Sequence, residues 1–346
     1  MPVRGETSAA GSGRPDELLP ELDAAAVRLP RRQMGANPQG ITVALCADYG
    51  LRERAWLPSA ALVALLADLG ITEAGARAAL SRLTRRGVLE RTRTGRIASH
   101  RLTPAAAVAV AGERAALAHF AQRAESWDGY WTLIAFSVPQ SGAVPQSRVV
   151  RQDGAVRQDG AVSQGGAIQR KALRGRLRWL GFVPLYDALW ISPRGPADEE
   201  LASLAEVGQC VVTPFRARHE PVDGPASRDP LTAWDVAGAA RGYEDFLRRW
   251  SDTARGIGTS EVEGAAAMRA RVEVRTDYRQ LVALDPGLPV AVMPPGWPRD
   301  DARQLYREVC DGLAASAVRH VRDAVSRVDA GLVAGVAAVR VEEFGP

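Results

Sequence analysis

Lysine is almost missing from this chain, and cysteine is scarce. Lys171 is the only lysine among 44 basic residues of the 346-residue sequence, so arginine carries nearly all of the positive charge. The three cysteines, Cys46, Cys210 and Cys310, lie far apart with no C-x-x-C spacing. That rules out a disulfide framework or a thiolate zinc site as the organising principle, and it fits a reducing, cytoplasmic setting. No apolar run reaches the ~18 residues that a membrane-spanning helix requires, and the richest stretch, Ala105–Ala111, is short and alanine-based. Met1–Arg14 has one early arginine and no apolar core behind it, which argues against a secretory signal. The four histidines, His100, His119, His219 and His320, are isolated, and there is no H-E-x-x-H, G-x-S-x-G or G-x-x-x-x-G-K pattern. Isolated histidines read as surface or capping residues, and Cys46 and Cys310 as fillers of apolar helix faces. The expectation is therefore a non-enzyme with no cofactor and no metal.

The charge that is present is unevenly placed. Between Gly50 and Arg101 stand ten arginines (52, 54, 77, 82, 85, 86, 91, 93, 96 and 101) against four acids, Glu53, Asp68, Glu73 and Glu90. That segment carries +6 while the whole chain carries +4, so the remainder is slightly acidic. A local basic patch is the footprint of a polyanion partner, most often nucleic acid.

At this length two or three domains are expected. Residues 1–36 read as a disordered tail rich in Gly, Pro, Ser and Ala. Ile41–Tyr49 is a short helix closed by Gly50, and Trp56–Pro58 a brief extended piece. Ser59 is placed to cap a helix over Ala60–Leu69 whose Leu62, Leu65, Leu66 and Leu69 share one face. Gly70 supplies a sharp turn, Thr72 caps a second helix running to Arg86, and Gly87 ends it. Val88–Arg93 and Arg96–Leu102 are strands of a hairpin turning at Thr94-Gly95. This order is that of a winged helix-turn-helix, over residues 37–103. Thr103-Pro104 opens a linker helix, residues 104–125.

Trp127–Pro139 reads as a buried strand that starts a middle domain, residues 126–216. A six-residue repeat follows at Val150–Ala155, Val156–Ala161 and Val162–Ala167. Three copies are too few to bury a core, so residues 141–169 are assigned to a disordered insertion loop. Beyond it come a basic helix, Arg170–Leu180, strands near Phe182–Leu185 and Ala188–Ser192, a helix at Asp198–Val207, and a strand at Gln209–Phe215. Strand, helix, two strands, helix, strand is the ferredoxin-like βαββαβ order. Residues 217–346 are expected to form a helical C-terminal domain, with helices over Leu231–Trp250, Glu261–Ala283 and Arg299–Val328. The fold class is thus α+β, multidomain.

The residues most tied to function sit in Ile71–Arg101. Ala76, Ala79, Leu80 and Leu83 form a core-facing stripe, while Arg77, Ser81, Thr84 and Arg85 lie opposite with Arg82 at the shoulder. Small residues at Gly75 and Ala76 are expected to let the helix approach its neighbour closely. A helix fits the major groove, where arginine pairs with guanine edges and serine with several acceptors. Arg93 and Arg96 at the hairpin tip suit phosphates or a minor groove. The assigned DNA-binding residues are Arg77, Ser81, Arg82, Arg85, Arg93 and Arg96. The competing reading is an ordinary solvated arginine face.

The run ITVALCADYG…WLPSAALVALLADLGITEAGARAALSRLTRRGVLE resembles the N-terminal domain of the PaaX family of bacterial transcriptional repressors. WDGYWTLIAFSVP with LRGRLRWLGFVPLYDALWISP, and LDPGLPVAVMPPGWPRDDARQLYREV, extend the resemblance from about Gly40 to Val328. It implies a winged helix, a ferredoxin-like middle domain similar to the small CRISPR-adaptation nucleases, and a helical C-terminal domain. It also implies a homodimer that represses a catabolic operon from a double-stranded operator, with a small-molecule effector such as an acyl-coenzyme A; the family's best-known inducer is phenylacetyl-coenzyme A. The repeat insertion and the long tail depart from the family pattern.

Rival functions are a metal-dependent nuclease working through the middle domain, and a winged-helix module that binds RNA or a protein. Cleavage requires converging carboxylates on a divalent cation, whereas the first strand ends in Phe136-Ser137-Val138 and Asp128 lies at its start. A second basic cluster, Arg170, Lys171, Arg174, Arg176 and Arg178 beside Trp179, is read as a receiver of coenzyme A phosphates, a contact to flanking DNA, or a solvated helix face. Trp131, Trp179, Trp190, Trp234 and Tyr243 are candidates to line an aromatic pocket, with most of them expected in the core. No ligand-binding residue is assigned.

Overall fold

Asn37 begins the ordered chain by accepting a hydrogen bond from the backbone N–H of Gln39 (3.1 Å), with Pro38 at the first helical position where its missing N–H costs nothing. The computed structural model describes residues 37–120, 127–137, 164–195, 198–205, 210–222, 224, 228–258 and 262–344. The N-terminal tail, the end of the linker helix and most of the repeat insertion lie outside the described residues.

The chain folds as two units, each discontinuous in sequence. The first comprises the described residues of Met1–Arg123, Ala240–Leu284 and Pro298–Pro346. Its N-terminal part runs α1 (Pro38–Gly50), β1 (Leu57–Pro58), α2 (Ser59–Asp68), α3 (Glu73–Arg85), β2 (Leu89–Thr94), β3 (Ile97–Leu102) and α4 (Pro104–His119). The three strands are antiparallel in the order β1-β3-β2. Ala61, Leu62, Leu65 and Leu66 of α2 and Ala76, Ala79, Leu80 and Leu83 of α3 are buried together with Leu45 and Leu57, which is why the helical spacing of apolar residues recurs here. Four more helices complete this part of the chain: α7 (Val236–Arg255), whose last sixteen residues belong to this unit, α8 (Gly264–Leu284), α9 (Arg299–Gly312) and α10 (Ala314–Ser326).

A charged centre ties the two halves of this unit together. Asp48 of α1 is wholly buried and accepts from the guanidiniums of Arg114 on α4 and Arg275 on α8. Burial pushes its carboxyl up, but Arg275, Arg114 and Arg271 pull it further the other way, below the ordinary carboxylate range. Buried Arg271 donates to the carbonyls of Cys310 and Val339. Ala337 and Val339 donate in turn to the carbonyls of Tyr49 (3.1 Å) and Asp48 (2.9 Å), so the last residues of the chain continue the end of α1. Tyr278 and Tyr306 stack at 4.2 Å beside this centre.

The second unit comprises the described residues of Ala124–Ala239 and Asp285–Trp297. It contains β4 (Trp131–Ser137), α5 (Gln164–Trp179), β5 (Val183–Tyr186), β6 (Leu189–Ser192), α6 (Asp198–Ala205) and β7 (Val211–Ala217). All strand pairs are antiparallel, in the order β5-β6-β4-β7. Ile134, Phe136, Leu173, Leu177, Phe182, Trp190, Leu204 and Cys210 form one core. A second cluster gathers Trp131, Ile191, Leu288, Val292 and Met293 with Trp127, Trp234 and Trp297.

Several local expectations are corrected. Ser59 does not cap α2: Pro58 holds that position, and the Ser59 hydroxyl donates instead to the carbonyl of Ala98 on β3 (2.9 Å). The hairpin turns one residue later than expected, at Gly95-Arg96, because Thr94 pairs with Ile97. Gly95 has φ 60° and Arg96 does not share the left-handed conformation, the pattern of a type II′ turn. β4 starts at Trp131 rather than Trp127, since the side chain of Asp128 accepts from the Tyr130 N–H and closes a turn through Gly129 at φ 84°. The helix α5 starts at Gln164, so residues 164–169 are helical and not loop. The long helix expected over Arg299–Val328 is two helices broken at Leu313, where Gly312 admits Ile257: a Cβ there would sit 2.8 Å from its Cδ1. The stretch 217–346 is divided between the units, with residues 217–239 and Asp285–Trp297 in the second and the rest in the first.

Candidate nucleic-acid interface

The geometry of α3 begins at its two ends. Gly70, at φ 77°, turns the chain out of α2, and Thr72 accepts a hydrogen bond from Gly75 N–H (3.2 Å) to cap α3. The room at Gly75 is taken by that cap, since a Cβ would meet Thr72 Oγ1 at 3.1 Å and Ile71 Cγ2 at 3.4 Å. Close approach to a neighbouring helix is therefore not its role, and Ala76, wholly buried, faces the core instead. With Ala76, Ala79, Leu80 and Leu83 buried, the 100° step per residue forces Arg77, Ser81, Arg82 and Arg85 outward, and all four are exposed. Thr84 is half-buried and its hydroxyl donates back to the Leu80 carbonyl (2.9 Å), which removes it from the outer face.

The ten arginines of the basic segment divide by partner. Arg54, at φ 47°, and Arg101 both donate to Glu90, and Arg54 also bonds the Leu102 carbonyl; Arg101 stacks on Trp56 at 4.2 Å. These two fasten the base of the hairpin. Arg52 pairs with Glu343 (2.8 Å), and Arg86 donates to Gln39 (3.1 Å). Arg77 pairs with Glu73 one turn back (2.6 Å), with both side chains about two-thirds exposed. Arg93 donates only to the Gly95 carbonyl at the hairpin tip (3.0 Å). Among the described residues, Arg82, Arg85, Arg91 and Arg96 have no side-chain hydrogen bond or ion pair, and all four are exposed. Arg91 was absent from the expected site. Strand alternation was the available signal, because it places Arg91 on the same face of β2 as Arg93.

His100 is not a surface or capping histidine. It is buried on β3, and its Nδ1 lies 3.1 Å from Ser59 Oγ. Because the Ser59 proton goes to the Ala98 carbonyl, the imidazole Nδ1–H is the donor to that oxygen. Burial, with a further push from Arg91, brings its pKa down to about 4. His320 likewise has a partner, the Asp68 carboxylate at 2.8 Å. Cys46 and Cys310 are buried as expected, and burial raises the Cys46 thiol to about 12.

In the second unit the aromatic candidates do not gather at one place. Trp131 and Trp234 lie 5.8 Å apart in one cluster, Trp190 is buried in the other core, and Trp179 is 69% exposed; Tyr243 is buried in the first unit. Asp128 is held by the guanidinium of Arg216 and by the Tyr130 N–H. Among the described residues no three His, Cys, Asp or Glu side chains gather as a metal-binding group. No described helix is long and apolar enough to cross a membrane.

No curated protein matches the chain. Comparison with protein families gives three matches: PaaX-like protein over residues 37–106, PaaX protein central Cas2-like domain over 167–228, and PaaX-like protein C-terminal domain over 234–323. Three segments of one family, taken in order along the chain, bracket the exposed α3 face and both units, and the chain therefore belongs to the PaaX family, whose members are generally transcriptional regulators.

Proposed function

We propose that the chain is a DNA-binding repressor in which residues 37–103 act as a winged helix-turn-helix. The observation that carries this reading is the two-sidedness of α3: four core residues on one face, and Arg77, Ser81, Arg82 and Arg85 exposed on the other. In this reading α3 enters the major groove, where the arginines read guanine edges or neighbouring phosphates and Ser81 meets a base or phosphate acceptor. Arg93 and Arg96 at the hairpin tip contact the backbone or minor groove, and Arg91 joins them from the same strand. The antiparallel order β5-β6-β4-β7 supports a ferredoxin-like reading of the middle domain. Two copies of the chain, placing α3 helices in successive major grooves about one helical turn apart, would occupy a pseudo-palindromic operator in the cytoplasm. Release would follow from a small-molecule effector, such as an acyl-coenzyme A, that binds a DNA-incompetent arrangement more tightly.

The test is anisotropy titration of the full chain against a duplex from its own promoter and against a random duplex. Arg85→Ala and Arg77→Ala should each cost about 1–3 kcal/mol on the promoter and narrow the gap between the two duplexes. If neither substitution changes either affinity, α3 is not the reading helix.

A further inference from the structure

The helix α5 is unlike the other arginine-bearing helices. Each of the other arginine-bearing α-helices among the described residues also carries at least one acid, and pairs within one helix form at Arg77–Glu73, Arg248–Asp245, Arg255–Asp252 and Arg303–Asp300. The sixteen residues Gln164–Trp179 contain Arg170, Lys171, Arg174, Arg176 and Arg178 and not one acid. Arg170, Arg174 and Arg178 follow each other at i, i+4 and i+8, a spacing of like charges that disfavours a helix in isolation. Leu173 and Leu177, both fully buried, fix which side faces the core. Lys171 and Arg178 are exposed and have no hydrogen-bond or ion-pair partner among the described residues; Arg178 lies over the Trp190 ring at 5.4 Å. They are seven residues apart, hence on one side of the helix and about 10.5 Å from each other along its axis. Beside them Trp179 stands 69% exposed with the Arg176 guanidinium stacked on it at 4.3 Å.

We propose that this face of α5 is a second DNA contact, in which Lys171 and Arg178 neutralise phosphates of one strand and Trp179 packs against the sugar edge. The inference rests on the reading of the chain as a DNA-binding regulator. A phosphate contact carries no base information, so it adds equally to promoter and random duplexes. This separates it from α3, whose substitutions alter the preference between them.

The experiment measures affinity of the full chain for both duplexes across a salt series. Lys171→Gln with Arg178→Gln should weaken both by roughly tenfold and flatten the log–log salt slope by about 1.8, at ~0.9 per lost phosphate contact, with their ratio unchanged. Lys171→Glu alone, at an exposed position away from the Trp190 ring contact, should flatten the slope by about 1 and guards against any disturbance at Trp190. An unaltered slope in both variants overturns the inference while leaving the α3 reading intact. So does an unaltered slope with a changed sedimentation state, which would make α5 a protein contact. Failure of the unsubstituted chain to bind either duplex overturns both.

Discussion

Glu73 and Arg77 form an exposed pair on the face of α3 that is proposed to read DNA. Their contact lies on the outer face of α3 with both partners about two-thirds exposed, and such pairs are worth only ~0.3–0.5 kcal/mol on a helix. On the proposed reading, DNA would offer Arg77 a denser acceptor, the pair would yield on binding, and Glu73 would be left as a negative charge near phosphates. Glu73→Gln should therefore tighten binding to promoter DNA severalfold without lowering the melting temperature by more than a degree or two. Weaker binding in anisotropy would mean that Glu73 positions Arg77 rather than competes for it. The outward position of Arg77, Ser81, Arg82 and Arg85 was legible in the sequence, because the apolar stripe fixes the opposite face. Which arginines had partners was not legible. Arg54 and Arg101 meet Glu90 only once the strands pair, and nothing in the local pattern separates them from Arg91.

At the scale of elements, the hairpin is attached to the start of α2 through Ser59, which donates to the Ala98 carbonyl and accepts from a neutral imidazole. His100 on β3 and Ser59 at the start of α2 share a hydrogen bond inside the fold. Folding lowers the His100 pKa from its ordinary 6.5 to about 4, so between those values the unfolded chain takes up a proton that the folded chain refuses. Stability is then full above about pH 6.5 and declines as the pH falls towards 4. Thermal melts from pH 7 to pH 4.5 should show this loss, and His100→Gln should reduce it; an identical acid dependence in the variant would assign it to other groups. The periodicity of α2, α3 and β3 made the order of elements readable in advance. The hairpin register slipped by one residue because Thr94-Gly95 and Gly95-Arg96 are both acceptable turns, and pairing across the strands decides between them. The start of α5 was missed because Gln164-Gly-Gly reads as loop and only the whole helix outweighs two glycines.

For the molecule as a whole, Asp48 is the point on which the first unit depends. It joins α1, α4 and α8, contributed by stretches of sequence more than 200 residues apart. Removing its charge leaves Arg114 and Arg275 buried without compensation, a loss of about 3–5 kcal/mol for a buried pair. Asp48→Asn should lower the melting temperature by many degrees in calorimetry, whereas Asp245→Asn, in an exposed pair, should leave it nearly unchanged. A small effect of Asp48→Asn would show that water reaches the centre. One hint of this network was present in the sequence: a lone acid inside the apolar run Val43–Tyr49 needs a partner when that run is buried. Its partners could not be read, since neither Arg114 nor Arg275 differs locally from the other arginines.

The interleaving of the chain has a practical result for anyone wishing to transplant the end proposed to read DNA. Because the first unit draws on three separate stretches and Asp285–Trp297 passes to the other unit between two of them, no single cut releases either one whole. A swap at the end of α4, of the kind that serves regulators built like beads on a string, would strand Asp48 without the arginine that α8 supplies. Grafts should keep everything after Ala240 in place and, on the proposed reading, repaint only the outer face of α3 to change specificity.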